Sequence, residues 1–296
     1  MEQTKKAGAL SPAQKRKQQQ KRQKILRAVL QLCFFFLTPS LFTGAFSGVK
    51  YIFTRIGTSQ VLEPVSFVIT LAALCGLTIL FGRFFCGYVC AFGSLGDGVF
   101  YLSSLIQKKL RKKLPKMPMG LKQRLRYLPF LLLTVIILLC AGGAYGALGG
   151  WSPWDVFSML TALNFRLGRY VLGLVLLVLI LLGMAWEPRF FCRFLCPMGA
   201  VFRLLPIAPW SVLHRNTEQC IRGCTACTKN CPVELHLGEQ ENAGDCIRCD
   251  RCRTVCPKGN ILPGIPALSR CPEAVTILKA VVYLVAAGLL GCLRFF

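Results

Sequence analysis

Two runs of cysteine, each closed by Cys-Pro, lie between residues 220 and 256: Cys220-x3-Cys224-x2-Cys227-x3-Cys231-Pro232 and Cys246-x2-Cys249-x2-Cys252-x3-Cys256-Pro257. No other feature constrains the chain so tightly. A stretch this short cannot bury a core large enough to hold itself together, so eight thiols at fixed spacing must fold it around something else. The second run has the bacterial ferredoxin spacing for a [4Fe–4S] cluster. Thiolate is the soft ligand that cluster iron prefers, and proline after the last cysteine stops a helix from re-forming. In two-cluster ferredoxins the fourth cysteine of each run ligates the other cluster. The expected sets are therefore Cys220, Cys224, Cys227 and Cys256 for one cluster and Cys246, Cys249, Cys252 and Cys231 for the other. Zinc knuckles and a disulfide framework are the alternatives. The first run departs from the pattern by one extra residue after Cys220, and the downstream Cys271-Pro272 is a spare that competes with Cys220 for the ligand position.

The rest of the chain is apolar. Of its 296 residues, 54% are hydrophobic, and the mean hydropathy is +0.53. That composition points to a polytopic membrane helical bundle. Five stretches reach the length that crosses a bilayer, about 20 apolar residues: 28–46, 65–82, 127–149, 170–186 and 274–293. The formal net charge of +24 is distributed by position. Residues 1–27 hold nine Lys or Arg and residues 83–126 hold ten, whereas 47–64 and 150–169 hold two each. Such alternation is the positive-inside pattern. It places the N-terminus, the 83–126 loop and the cysteine-rich segment in the cytoplasm and the C-terminus outside. The basic segments then face the lipid bilayer surface rather than nucleic acid. Residues 1–24, rich in Lys and Gln, read as a solvated, disordered tail.

A repeat adds four more cysteines. Arg83-Phe84-Phe85-Cys86-x3-Cys90 recurs 106 residues later as Arg189-Phe190-Phe191-Cys192-x3-Cys196, and Gly93 and Gly199 keep the same offset. Two cysteines four positions apart share one face of a helical turn. Brought together by a pseudo-two-fold along the membrane normal, Cys86, Cys90, Cys192 and Cys196 would present the four thiols of an iron–sulfur or zinc centre at the cytoplasmic rim of the bilayer. Packing alone is the other account, since cysteine is often a small buried apolar residue. That account suits the isolated Cys33, Cys75, Cys140 and Cys292 better than these pairs in register.

Other chemistry is excluded by residue type. The two histidines, His214 and His236, lie beside or within the cysteine segment, which rules out a bis-histidine haem inside the membrane. No c-type haem motif and no nucleotide-binding glycine loop occur. A transporter is disfavoured by the lack of paired charges within the spans. Asp97, close to the first cysteine pair, is either a proton relay to a quinone or an interfacial carboxylate.

The paired Cys-x3-Cys segments followed by the double Cys-Pro run resemble the polyferredoxin-like membrane proteins of the NapH and NosR type, over residues 28 to 262. Family members carry Cys-x3-Cys-Pro twice; here Cys192 to Pro197 keeps it and Cys90 is followed by Ala91. The resemblance implies electron transfer between a cytoplasmic or quinol pool and a partner outside. The expected organisation is a basic cytoplasmic tail (1–27), a first membrane repeat (28–106), a basic loop (107–126), a second membrane repeat (127–210), a ferredoxin-like domain (211–270) and a last transmembrane helix (271–296). The expected function is carriage of single electrons between two [4Fe–4S] clusters and a quinone, a ferredoxin or an extracytoplasmic flavo- or haem-protein, through a further cysteine-ligated centre. The chain would be a carrier subunit without substrate chemistry of its own. The competing function is an iron–sulfur regulatory or assembly factor for an extracytoplasmic metalloenzyme or flavoprotein.

Overall fold

The computed structural model describes residues 11–112, 114–115, 117–148, 150–164, 168, 170–235, 244–265 and 271–293, so His236 and Arg294 to Phe296 lie outside the described residues. The chain is mainly helical. Helix α1 (Pro12–Leu37) begins at a capping box in which Ser11 and Gln14 exchange hydrogen bonds, satisfying orphan N–H groups of the first turn. Thr38 and Pro39 end it, and α2 (Leu41–Gly57) continues at a bend of 59°. Proline lacks the N–H that would carry the helix on, so the apolar stretch 28–46 is two helices rather than one straight rod.

Helix α3 (Ser66–Phe81) then leads to the first cysteine turn and α4 (Ala91–Lys109) leaves it. Short α5 (Met119–Leu125) joins α6 (Leu128–Ala141), and α7 (Pro153–Thr161) precedes α8 (Val171–Trp186). The second cysteine turn is α9 (Phe190–Phe194), followed by α10 (Pro197–Leu204). In the cysteine-rich segment a two-stranded antiparallel ladder pairs β1 (Leu213–Arg215) with β2 (Ile261–Pro263), Arg215 opposite Ile261. It brackets the one-turn helices α11 (Ala226–Lys229) and α12 (Arg251–Val255). Helix α13 (Pro272–Leu289) follows.

By length and composition, Met119–Ala141 and Pro272–Leu289 are able to cross a membrane, and α1 with α2 makes a third if the bent pair is one span. Helices α3 and α8 are apolar but shorter. The reading of residues 1–24 as a disordered tail is corrected from Pro12 onward. Lys, Arg and Gln are strong helix formers, and the Arg16, Gln20 and Gln23 side chains find partners along the cysteine-rich segment, as set out below.

The core is aromatic and centred on the two cysteine turns. Phe92 stacks against Phe157 and Phe191 with ring centroids 4.4 and 4.5 Å apart, and Phe84 lies between Tyr88 (4.5 Å) and Tyr283 of α13 (5.7 Å). Phe191 of the second copy thus meets Phe92, two residues after Cys90, and Phe85 of the first copy meets Phe202 at 5.9 Å, so aromatic pairs tie each turn to the helix that leaves the other.

Candidate functional site

Cys86, Cys90, Cys192 and Cys196 are all buried. Each turn is closed by the same wide hydrogen bond: Cys90 N–H donates to the Phe85 carbonyl at 2.8 Å and Cys196 N–H to the Phe191 carbonyl at 2.9 Å. The first turn is a π-helix over Phe85–Val89, a form common where a helix is opened for function, whereas the second is α-helical over Phe190–Phe194 with the same closing bond. The missing proline after Cys90 does not remove that closing bond. The second cysteine of each pair is the N-cap of the next helix, α4 or α10. Gly199 N–H points at the Cys196 sulfur at 3.2 Å, and Gly93 N–H plays the same part for Cys90. A helix N-terminus favours the thiolate.

Opposing this is the lack of water. Burial pushes the thiols of Cys90, Cys192 and Cys196 up. For Cys90 and Cys196 the neighbouring cysteines push the same way, while Arg189 draws Cys192 back. Thiols held protonated in this way are poor nucleophiles, whereas a metal centre deprotonates them outright.

Two buried arginines flank the four sulfurs. The Arg83 guanidinium reaches the Cys86 sulfur at 3.7 Å and that of Arg189 reaches Cys192 at 4.0 Å. Arg189 also grips Asp97 at both oxygens, at 2.9 and 2.5 Å. Arg27 and Gln31 of α1 add bonds of 2.7 Å each to Asp97. Burial by itself would raise the carboxyl of Asp97, but Arg189 and Arg27 hold it well below the usual carboxylate range. Asp97 is thus a locked ion-pair partner and not a proton relay.

In the cysteine-rich segment, Cys220, Cys224, Cys227 and Cys256 line one small cavity, together with Arg215, Asn260 and Ile261. Arg215 donates to the Cys220 sulfur at 3.3 and 3.0 Å, which lowers the thiol of Cys220. Cys271 is exposed and lines a different depression, against Lys15 and Arg22 of α1. The other expected set also lies together. Cys231 and Cys252 each feel the charges of Cys246 and Cys249. Burial pushes Cys231 to about 11 and raises Cys246 and Cys252.

Orphaned donors beside these sets fit an anionic cluster. Buried Nε of Arg83 and buried Nε and Nη2 of Arg248 lack hydrogen-bond partners among the described residues. Such donors are costly unless something anionic accepts from them.

The two regions touch. A Cβ on Gly87, between Cys86 and Cys90, would overlap the Ile247 carbonyl, and one on Gly82 would come within 2.5 Å of Arg248 Nε. Gly82 also has a φ of 66°, a conformation that favours glycine. Tyr88 hydroxyl donates to the Cys249 carbonyl at 3.5 Å. Along α1, Arg16, Gln20 and Gln23 donate to the carbonyls of Pro257, Thr254 and Cys249 at 3.0, 3.1 and 3.1 Å. Sequence reasoning missed this polar stripe, although the spacing of Arg16, Gln20, Gln23, Arg27 and Gln31 at three or four residues marks one helix face. It also missed the roles of Arg83 and Arg189, which were visible as the invariant first residue of the two repeat copies.

A family model described as a 4Fe-4S binding domain matches residues 63–113 and 169–207, the two stretches that carry the Cys86/Cys90 and Cys192/Cys196 turns. An uncharacterized protein of Methanocaldococcus jannaschii is 29% identical over 237 residues, covering 79% of this chain and 85% of that protein. Protein NirI of Paracoccus denitrificans is 30% identical over 200 residues, covering 66% of this chain and 28% of NirI. Ferredoxin-type protein NapH of Haemophilus influenzae is 25% identical over 190 residues, covering 60% of this chain and 61% of NapH. Regulatory protein NosR of Pseudomonas aeruginosa matches over 64% of this chain and 26% of its own length. The chain thus spans only about a quarter of NirI and NosR. No solved structure matches. The four-cysteine turns match a 4Fe-4S binding domain, and over most of its length the chain is similar to polyferredoxin-like iron–sulfur proteins of the NapH/NosR type.

Proposed function

We propose that the chain carries single electrons between two [4Fe–4S] clusters in the cysteine-rich segment and a quinone or an extracytoplasmic redox protein, by way of a third centre on Cys86, Cys90, Cys192 and Cys196. The observation that carries this reading is the contact of Ile247 with Gly87. It sets the loop between Cys246 and Cys249 directly on the loop between Cys86 and Cys90. Cys220, Cys224, Cys227 and Cys256 would hold one cluster, and Cys231, Cys246, Cys249 and Cys252 the other.

Bound there, iron–sulfur clusters supply one-electron chemistry at neutral pH. The protein's part is to hold and tune them. The unpartnered guanidinium N–H groups of Arg83 and Arg248 would be available to an anionic cluster, helix N-termini would favour thiolate, and the rings around Phe92 and Phe191 would exclude water. Hydrogen bonds, net charge and solvent access are the levers that set cluster potential. Five spans near 28–46, 65–82, 127–149, 170–186 and 274–293 would place the cysteine-rich segment in the cytoplasm and the C-terminus outside, in keeping with the basic segments.

The test is anaerobic purification with iron and sulfide counting and EPR on reduction. About eight irons per chain support the ferredoxin pair, and a further signal lost in a Cys86→Ser, Cys192→Ser double variant supports the third centre. Zinc in place of iron sinks the reading. A second reading, as a regulatory or assembly factor, is favoured by the relative named regulatory protein NosR. Reduction of quinone in liposomes by electrons fed to the cytoplasmic side separates carriage from regulation.

A further inference from the structure

The two repeat copies differ at one charged position beside the four sulfurs. With the offset of 106, Arg83 corresponds to Arg189 and Gly93 to Gly199, but Asp97 corresponds to Arg203. In one half, Arg189 is neutralised by Asp97, a residue of the opposite copy. By symmetry Arg83 should be neutralised from position 203, where the chain has a second arginine instead. Two buried guanidiniums without a carboxylate would be strongly destabilising.

The missing carboxylate comes from elsewhere in the chain. Asp245 pairs with Arg203 (Nε to Oδ1, 2.6 Å) and with Arg126 (Nη2 to Oδ2, 2.5 Å). Its charge acts on Arg83, which also donates to the neighbouring Gly244 carbonyl at 3.3 Å. The Asp245 side chain is 12% exposed and that of Arg203 11%. Asp245 immediately precedes Cys246, and the next residues, Ile247 and Arg248, are those that pack on Gly87 and Gly82.

We propose that Asp245 is a positioning residue. It supplies the negative charge that the Asp-to-Arg change between the repeats removes, pairing with Arg203 and Arg126 and acting on Arg83 at longer range, and so seats the Cys246–Cys249 loop, in one register, against the Cys86–Cys90 turn. The broken symmetry is the docking code: an arginine at 203 attracts the cysteine-rich segment, whereas an aspartate there would satisfy Arg83 internally and repel Asp245. The inference deepens the proposed electron route, yet the docking itself is readable without iron.

Hydrogen exchange on the full-length, anaerobically purified chain in detergent tests it, read at the amides of 244–250. Asp245→Asn and Arg203→Asp are each expected to speed exchange there by about tenfold, the equivalent of 1.4 kcal/mol. The charge swap Arg203→Asp with Asp245→Arg restores opposite charges between the two positions but leaves Arg126 without its carboxylate, and is expected to recover part of the protection lost in the single variants. A merely structural loss at either position would not be rescued by the swap. In the iron-loaded chain, the same single variants should keep their iron content while losing any spin–spin broadening between the Cys246 set and the Cys86 set. Wild-type exchange in both single variants, or a swap no better than the singles, overturns the proposal. A wild-type chain that binds no iron sinks the electron route, and the exchange data still decide the docking.

Discussion

The two cysteine environments are built by opposite means. Around Cys86, Cys90, Cys192 and Cys196 the protein supplies a full interior, with stacked phenylalanines, capped helices and arginines locked by Asp97. Around Cys220, Cys224, Cys227 and Cys256 it supplies almost none: a two-stranded ladder, one-turn helices and a buried cluster of Cys227, Cys252 and Ile261. The first site is preformed by the fold, while the second depends on what the cysteines bind. The difference teaches where the structure is rigid before metal arrives and where metal completes it.

The largest effect that probes this contrast is removal of iron by chelation under reducing conditions. Amides of 213–263 should lose protection, while those of the 85–96 turn should keep it. Equal loss in both regions, followed by hydrogen exchange, would erase the contrast. Next comes Arg189→Gln, which leaves Asp97 buried with one fewer charge partner. It should destabilise the chain by about 3–5 kcal/mol, the cost typical of breaking one side of a buried pair, seen in denaturant unfolding of the membrane core. Gly87→Ala should cost about 1–3 kcal/mol by overpacking against Ile247, loosening 244–250 without lowering iron content.

A smaller effect concerns acid. The folded pKa of Asp97 is depressed, so its stabilisation is fully present above the ordinary carboxylate value, about 3.9, and fades as pH falls below that toward the folded pKa. In Asp97→Asn that acid-side loss of stability should disappear from thermal unfolding curves. The smallest effect is expected of Cys271→Ser. Because Cys271 is exposed and set apart from the cavity of the first set, iron content and EPR should match the wild type, whereas Cys220→Ser should lose the signal of that cluster. The reverse result would hand the ligand role to Cys271.

Much of this was legible in the chain itself. The stretches 65–82 and 170–186 correspond to α3 and α8 almost residue for residue, because uninterrupted apolar runs bounded by glycine, proline or charge leave little choice. Ligand spacing led to the expectation that Cys220, Cys224 and Cys227 act with the distant Cys256, and these four side chains line one small cavity. The bend at Thr38 to Leu41 was half legible, since Pro39 was visible but hydropathy reports apolarity and not direction. The partners of the arginines were not legible. Arg189 meets Asp97 across 92 residues and Arg126 meets Asp245 across 119, and only the folded arrangement of helices brings such charges together. The tail was misread because its Arg and Gln look solvated until a second surface is present to receive them.

That receiving surface has a consequence for biosynthesis. The carbonyls that Arg16, Gln20 and Gln23 bind lie 241, 234 and 226 residues further along the chain. At a synthesis rate of about 5–20 residues per second, the face of α1 must wait on the order of ten seconds or longer for its complement to leave the ribosome. Through that interval the row of glutamines and arginines stays wet and unengaged, while the intervening helices are already being delivered to the bilayer. Closure of α1 on the cysteine-rich segment is therefore a late event, in which a helix made early clasps a segment made more than 200 residues later.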